Sequence, residues 1–325
     1  MQKVFFGMGL LITAPLSLIY AQGSTGGVGT FEHGQPETAR HATVGSAVSA
    51  AHEARGHSGG GSKNLYYHGG VGGIGVETAP KVYLVLWGAQ WNDNDPSGEA
   101  AILESFYSEV GGSSWLKSVT QYCQGVATGT VFCSDAGTPA GNQSGIYGGV
   151  WIDNATSAPS RPSQSQLAAE AVRAAAYFGN TTTDSNATVQ YVIATASGNN
   201  ATGFGTQYCA WHSSTSSIYG NIAYTNLPYM TDAGGSCGAN FNGLGPKAGI
   251  TIVGGHELAE TITDQFPNGG WLDSNGAENG DKCAWITSGQ GASANITLGT
   301  GVFPVQSLWS NAFNSGAGGC VLSYP

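Results

Sequence analysis

One short segment of the chain, residues 254–260 with the sequence GGHELAE, combines an imidazole with two carboxylates. The apolar pattern around it predicts a helix over residues 250–263, in which side chains four positions apart share a face. His256 and Glu260 would then point the same way, with Glu257 one step round the helix. This is the layout of the zinc-binding H-E-x-x-H helix with its second His replaced by Glu, and it predicts a metal site.

A second acidic segment, residues 273–281 with the sequence DSNGAENGD, follows the predicted helix. Oxygen donors in a glycine-rich loop are ligands for a cation, so Glu278 or Asp281 is our first prediction for a third metal ligand. Asp273 would support the same site. His212 is the second prediction for this ligand, because a cystine close to it in the sequence would hold its side chain in place.

These residue types predict hydrolytic chemistry around a metal. Zinc accepts imidazole nitrogen and carboxylate oxygen, and catalytic zinc sites leave one position for water. With His256 and Glu260 as ligands, Glu257 would act as the general base toward the metal-bound water. Because Glu260 makes the set richer in oxygen, calcium and manganese stay open beside zinc. The alternative is an ordinary helix whose His and Glu side chains hydrogen-bond to neighbouring loops.

A second stretch, residues 93–104, has the spacing of an EF-hand calcium loop. The predicted calcium ligands are Asp93, Asp95, Ser97 and Glu104. A strand rather than a helix is predicted before this loop, and Pro96 is unusual within one. The start of a helix explains the same residues, with a small polar cap and an acidic first turn. Both interpretations stay open.

The N-terminal region predicts export. Residues 1–21 hold Lys3, an apolar run and a small residue before Gln22, which is typical of a cleaved secretory signal peptide. Residues 22–77 are rich in Gly, Ser and His without apolar periodicity, so we expect a disordered leader or pro-segment. Only 9% of residues are charged and the net charge is −10, which argues against nucleic-acid binding. We expect a secreted monomer with no membrane segment after signal cleavage.

The cysteines agree with an oxidising compartment, because all six follow the predicted signal peptide. Fifteen pairings are open in principle, and we predict that neighbours in sequence pair. The predicted disulfides are Cys123–Cys133, Cys209–Cys237 and Cys283–Cys320.

The apolar patterns alternate between strands and helices, which predicts an α/β (or α+β) fold. We expect residues 78–325 to form a single zincin-like domain with a central mixed sheet, long Gly- and Asn-rich loops and disulfides. The predicted helices are 98–110, 164–178 and 250–263, and the predicted strands are 81–87, 189–194, 222–224 and 302–306.

The block from HELAE at 256–260 through GWLD at 270–273 to ENGDKC at 278–283 resembles a segment of known proteins. It is similar to a group of secreted bacterial proteins of unassigned function, and distantly to the plant Exordium, or phosphate-induced, family. Weaker similarity to the bacterial group extends over residues 78–325. The resemblance implies a single secreted domain with a shared, metal-bearing centre.

Two functions are therefore expected from the sequence. The first is a secreted, metal-dependent hydrolase, a zinc-dependent peptidase that acts on a peptide or protein substrate. The alternative is a non-enzymatic, Exordium-like extracellular protein whose metal site is structural and whose surface contacts cell-wall glycan.

Overall fold

The computed structural model describes residues 63–133, 135–299 and 301–324, together with the backbone of residues 40–42. The predicted signal peptide lies outside these residues, as does most of the predicted leader. Within the described part of the chain, no helix is both long and apolar enough to span a bilayer.

A six-stranded mixed sheet organises the fold. In spatial order its strands are β1 (Arg40–Ala42), β8 (Tyr208–Ser217), β9 (Gly220–Leu227), β7 (Val189–Thr195), β3 (Lys81–Trp87) and β6 (Tyr147–Asp153). Strands β6, β3, β7 and β9 run parallel, whereas β8 pairs antiparallel with β9 and β1 antiparallel with β8. The predicted α/β class and central mixed sheet are confirmed.

Helices cover both faces of this sheet. They are α1 (Glu99–Val110), α2 (Gln164–Tyr177) and α3 (Ala248–Thr263), while the short α4 (Phe313–Gly316) lies against residues 319–321. Alternate residues of β3 show the division, because Leu84 and Leu86 pack in the core that holds α1 and α3, whereas Val85 packs in the core that holds α2. The first three helices lie within two residues of the predicted bounds.

Smaller two-stranded sheets and short 3-10 segments complete the domain. The strand pairs are β2 (Tyr66–Tyr67) with β10 (Trp271–Leu272), β4 (Cys123–Gln124) with β5 (Thr138–Pro139), β11 (Ala294–Leu298) with β12 (Gly301–Val305), and β13 (Leu308–Ser310) with β14 (Gly319–Val321). The 3-10 segments are Ala89–Asn92, Leu116–Gln121, Asp184–Asn186, Met230–Cys237, Phe241–Gly243 and Asp281–Cys283.

The folded region begins earlier than predicted. Strand β2 pairs with β10, and the side chains of Leu65, Tyr67 and Val76 are at most 1% exposed. These residues lie upstream of residue 78, so the predicted boundary of the globular domain is wrong by at least 13 residues, counted from Leu65. Because this stretch is rich in glycine, its average composition does not reveal the few large apolar residues that pack in the core.

Helix α3 is completely buried, over all 16 of its residues. A helix that is apolar nearly all round belongs in a core, and α3 lies between α1, the sheet and β12. Gly255 allows the close approach, since a Cβ there would lie 3.1 Å from the rings of Phe106 and Trp115. The helix that carries the predicted metal ligands is thus fixed on every side.

All three predicted disulfides are confirmed, as Cys123–Cys133, Cys209–Cys237 and Cys283–Cys320. The second disulfide includes Cys209 of β8, the strand that carries His212. The third includes Cys283, two positions after Asp281. Two of the three covalent links therefore restrain segments that reach α3.

Candidate metal centre

Three separate segments bring their polar side chains to one face of α3. The helix contributes residues one turn apart, β8 contributes His212, and the loop after β10 contributes two carboxylates. The members are His212, His256, Glu257, Glu260, Asp264, Glu278 and Asp281, and they form three groups of three whose ligand atoms lie within 4.8 Å of one another. The predicted convergence of the helix with the acidic loop is therefore present in the fold.

The first group contains His256, Glu260 and Asp281. The imidazole Nε2 of His256 lies 2.9 Å from Oε1 of Glu260 and 3.8 Å from Oδ1 of Asp281. Glu260 Oε1 also accepts the backbone N–H of Asp281 at 2.9 Å. This contact attaches the acidic loop to the helix, so these three donors face a common point.

Gln306, just after β12, determines the tautomer of His256. Its amide Nε2 donates to the carbonyl of Gly280 at 2.8 Å, so its Oε1 is left as an acceptor. This oxygen lies 3.1 Å from Nδ1 of His256, which must therefore carry the ring proton. The lone pair of Nε2 then points at the carboxylate of Glu260, and this contact needs either a proton or a cation between the two atoms.

His212 lies between the remaining carboxylates. Its Nδ1 is 3.4 Å from Oε2 of Glu257 and 3.8 Å from Oε2 of Glu260, and its Nε2 is 3.6 Å from Oε1 of Glu278. These distances are longer than ordinary hydrogen bonds. Within the described chain, neither ring nitrogen has a hydrogen-bond partner of normal geometry, and the same holds for both carboxylate oxygens of Glu278. Buried polar atoms normally have partners, so these atoms are candidate ligands for a cation.

Asp264 closes the third group, with His212 and Glu278. It follows the last residue of α3, and its carboxylate accepts the backbone N–H groups of Asn268, Gly269 and Gly270. These bonds stabilise its negative charge and end the helix in a tight loop. Asp264 thus organises the loop that follows α3, independently of any ligand.

Burial controls the protonation of the centre. It lowers the pKa of both His212 and His256 to about 3, so both imidazoles are neutral near pH 7. It raises the pKa of Glu260 and Glu278 well above the ordinary value, and the mutual repulsion of these two carboxylates adds to the effect on Glu278. A cation in their midst would favour the ionised carboxylates and offset this burial cost.

No Lys or Arg side chain forms an ion pair with the centre within the described residues. Lys282 follows Asp281 in sequence, but its Nζ lies 2.6 Å from Asp273 and over the ring of Trp309. Asp273 also accepts the backbone N–H of Asn275, so it organises the loop and joins none of the three groups. Its predicted role as support is limited to positioning this loop.

The predicted calcium loop has a different role. The carboxylate of Asp95 accepts the backbone N–H of Glu99 at 2.7 Å and the hydroxyl of Tyr229 at 2.7 Å, and the hydroxyl of Ser97 lies 2.8 Å from that of Thr231. Among the described residues, Asp93, Asp95 and Glu104 do not come together as a group that could hold a metal. The structure therefore favours the start of a helix over a calcium loop.

Two residues of the centre were not predicted, namely Asp264 and Gln306. Asp264 lies one turn beyond Glu260, and the helical spacing of these two carboxylates was a signal that could have identified it. Gln306 offers no such signal, because it reaches His256 through a contact between residues 50 positions apart.

The centre is closed to solvent. His212, His256, Glu260, Asp264 and Glu278 are 0% exposed and Glu257 is 1% exposed. Only the side chain of Asp281, at 19%, reaches the surface. A macromolecular substrate has no route to Glu257 in this conformation.

Comparison with protein-family models, curated proteins and solved structures yields no match for this chain.

Proposed function

We propose that this chain is an extracellular protein whose core is built around a buried divalent metal centre, and that the cation is structural. The observation that carries the proposal is the contact between His256 and Glu260. A lone pair of fixed direction faces a carboxylate oxygen at 2.9 Å, and among the described residues no Lys or Arg side chain forms an ion pair with the centre. The adjacent, unsatisfied carboxylate of Glu278 supports the same conclusion.

Zinc is the cation that fits this donor set best. Imidazole nitrogen with carboxylate oxygen suits zinc, whereas calcium prefers a shell of oxygens alone. Tetrahedral zinc with ligands at about 2.05 Å places its donors about 3.3 Å apart. The distances from Nε2 of His256 to Glu260 and Asp281, 2.9 and 3.8 Å, bracket this value.

A structural role follows from the burial. Structural sites are closed, and catalytic sites keep a position open to water and substrate. The ligands of this cation, His256, Glu260 and Asp281, come from α3 and from the loop tied by Cys283–Cys320, so the cation would connect separate segments of the chain. Binding free energy would then appear directly as folding free energy.

The test is metal analysis of tag-free protein purified without added metal, followed by urea unfolding with ZnCl2 and with chelator. We expect bound zinc and a clear fall in the unfolding midpoint after chelation. His256→Asn should weaken the response to zinc, whereas Asp93→Asn, at an exposed position outside the centre, should retain it in full. Wild-type protein that binds no metal and unfolds identically in both buffers would overturn the proposal.

The hydrolase is the second candidate, favoured by one observation. Glu257, the predicted general base, lies beside the proposed ligands, with Oε2 3.4 Å from Nδ1 of His212. Its test is a casein assay with and without chelator, in wild type and in Glu257→Gln with matched metal content. Metal-dependent cleavage that disappears in the variant would establish a peptidase and show that the centre opens. The zincin-like, Exordium-like and glycan-contact predictions remain predictions.

A further inference from the structure

Glu260 lies between the two histidines of the centre. Its Oε1 is 2.9 Å from Nε2 of His256, and its Oε2 is 3.8 Å from Nδ1 of His212. The two oxygens of one carboxylate thus face two different imidazoles. A carboxylate in this position can bind one cation with each oxygen, which is the geometry of a bridging ligand.

Each side of Glu260 has its own complete set of three donors. On one side Nε2 of His256 and Oδ1 of Asp281 face Oε1 of Glu260. On the other side Nδ1 of His212 and Oε2 of Glu257 face Oε2 of Glu260. Nδ1 of His212 lies 3.8 Å from Oε2 of Glu260 and 3.4 Å from Oε2 of Glu257. The distances within the two sets, 2.9 and 3.8 Å in the first and 3.4 and 3.8 Å in the second, lie within about 0.5 Å of the spacing of about 3.3 Å between the donors of a four-coordinate zinc ion.

The surroundings of His212 provide an independent indication of the second position. This ring is 0% exposed, and neither nitrogen has a hydrogen-bond partner of normal geometry within the described residues. With its proton on Nε2, facing Glu278 at 3.6 Å, its Nδ1 presents a lone pair to Glu257 and Glu260. Metal-binding histidines commonly direct their other N–H to a carboxylate or carbonyl in this way. His256 has the same arrangement, with Gln306 as its acceptor.

We propose that the centre holds two divalent cations bridged by Glu260, one bound by His256 and Asp281 and the other by His212 and Glu257. The inference rests on the proposed function, since it requires that metal binds at all. It makes Glu257 a metal ligand rather than a general base. Two-metal sites place their ions about 3.5–4 Å apart, a separation that a bridging carboxylate allows.

The experiment measures zinc per chain in tag-free protein after saturation with ZnCl2 and dialysis against metal-free buffer. We expect two zinc ions in wild type, one in His212→Asn and one in His256→Asn, with two retained in the control Asp93→Asn. One zinc per chain in wild type would overturn the two-cation inference and leave the proposed function standing. No zinc in wild type would overturn both.

A measurement on unaltered protein protects the test against variants that do not fold. Manganese added to metal-free wild type should produce an electron paramagnetic resonance spectrum broadened by exchange between two bridged ions. After unbound manganese has been removed by desalting, the resolved hyperfine pattern of an isolated bound ion in protein loaded to saturation would refute the bridge.

Discussion

Replacing Gly280 by alanine should impair the metal centre without disturbing the backbone. A Cβ at this position would lie 2.6 Å from Nδ1 of His256 and 2.9 Å from Oε1 of Glu260. The backbone at Gly280 has φ −79° and ψ −46°, which alanine adopts freely. The substitution therefore acts through the space that the new methyl group takes from the imidazole and the carboxylate.

The size of the effect follows from the overlap. Ordinary contacts of a Cβ begin at 3.4 Å, so the imidazole of His256 would have to move by about 0.8 Å. Overpacking of this kind costs about 1–3 kcal/mol, and disturbing the buried hydrogen bond to Gln306 adds about 1 kcal/mol. Displacing a residue that positions a ligand typically reduces metal affinity about 10–100-fold.

The assay is urea unfolding of wild type and Gly280→Ala in ZnCl2 and in chelator, with zinc affinity measured by competition against a chromophoric chelator. Stabilisation by zinc depends on the logarithm of affinity, so each tenfold loss of affinity should remove about 1.4 kcal/mol of it. Gly235→Ala is the matched control, because an added Cβ there meets no atom within 4 Å. If Gly280→Ala equals this control in both stability and zinc affinity, the deduced geometry of the centre is wrong.

Three further predictions concern stability. Burial raises the pKa of Glu77 to about 8, so the folded state holds this proton more tightly than the unfolded state. The resulting stabilisation, on the order of 5 kcal/mol, is complete below about pH 4.5 and is lost as the pH rises through 8. Glu77→Gln should flatten the decline between pH 5 and 8 in urea unfolding with chelator present, and slopes equal to wild type would contradict this. Ser163→Ala removes the side-chain acceptor of the capping box of α2 and should cost about 1 kcal/mol in the same assay, whereas no loss would show that the cap is dispensable. Replacing both Cys283 and Cys320 by alanine opens a loop of 37 residues, which should lower the free energy of unfolding by about 4 kcal/mol. It should also weaken zinc binding, and unchanged zinc affinity would show that this disulfide does not position the acidic loop.

Much of the local structure was predictable because it depends on neighbours in sequence. The period of 3.6 residues places His256 and Glu260 on one face of a helix, and the alanine stripe and capping box define α2 in the same way. The apolar runs at 81–87 and 189–194 are typical of strands covered on both faces, and helices cover both faces of this sheet. The predicted cysteine pairing was confirmed, since each disulfide joins two cysteines that follow one another in the sequence.

The start of the folded region shows where composition misleads. Average composition over residues 63–77 resembles a linker, but packing depends on individual side chains. Leu65 and Tyr67 are buried because β2 pairs with β10, about 200 residues further along the chain. No local window contains both strands, so the pairing cannot be detected from periodicity.

The sequence by itself determined that the chain carries a helix with an imidazole and two carboxylates, an acidic loop after it, and three short-range disulfides. Only the tertiary structure decided that His212 faces this helix, that Gln306 orients His256, and that nearly every donor is buried. The reason is physical: helical spacing is set by hydrogen bonds between near neighbours, whereas the approach of β8 and of the acidic loop to α3 depends on how the whole core packs. Burial in turn decides which charges need a partner, and so it is the packing that turns a common pattern of residues into a candidate metal centre.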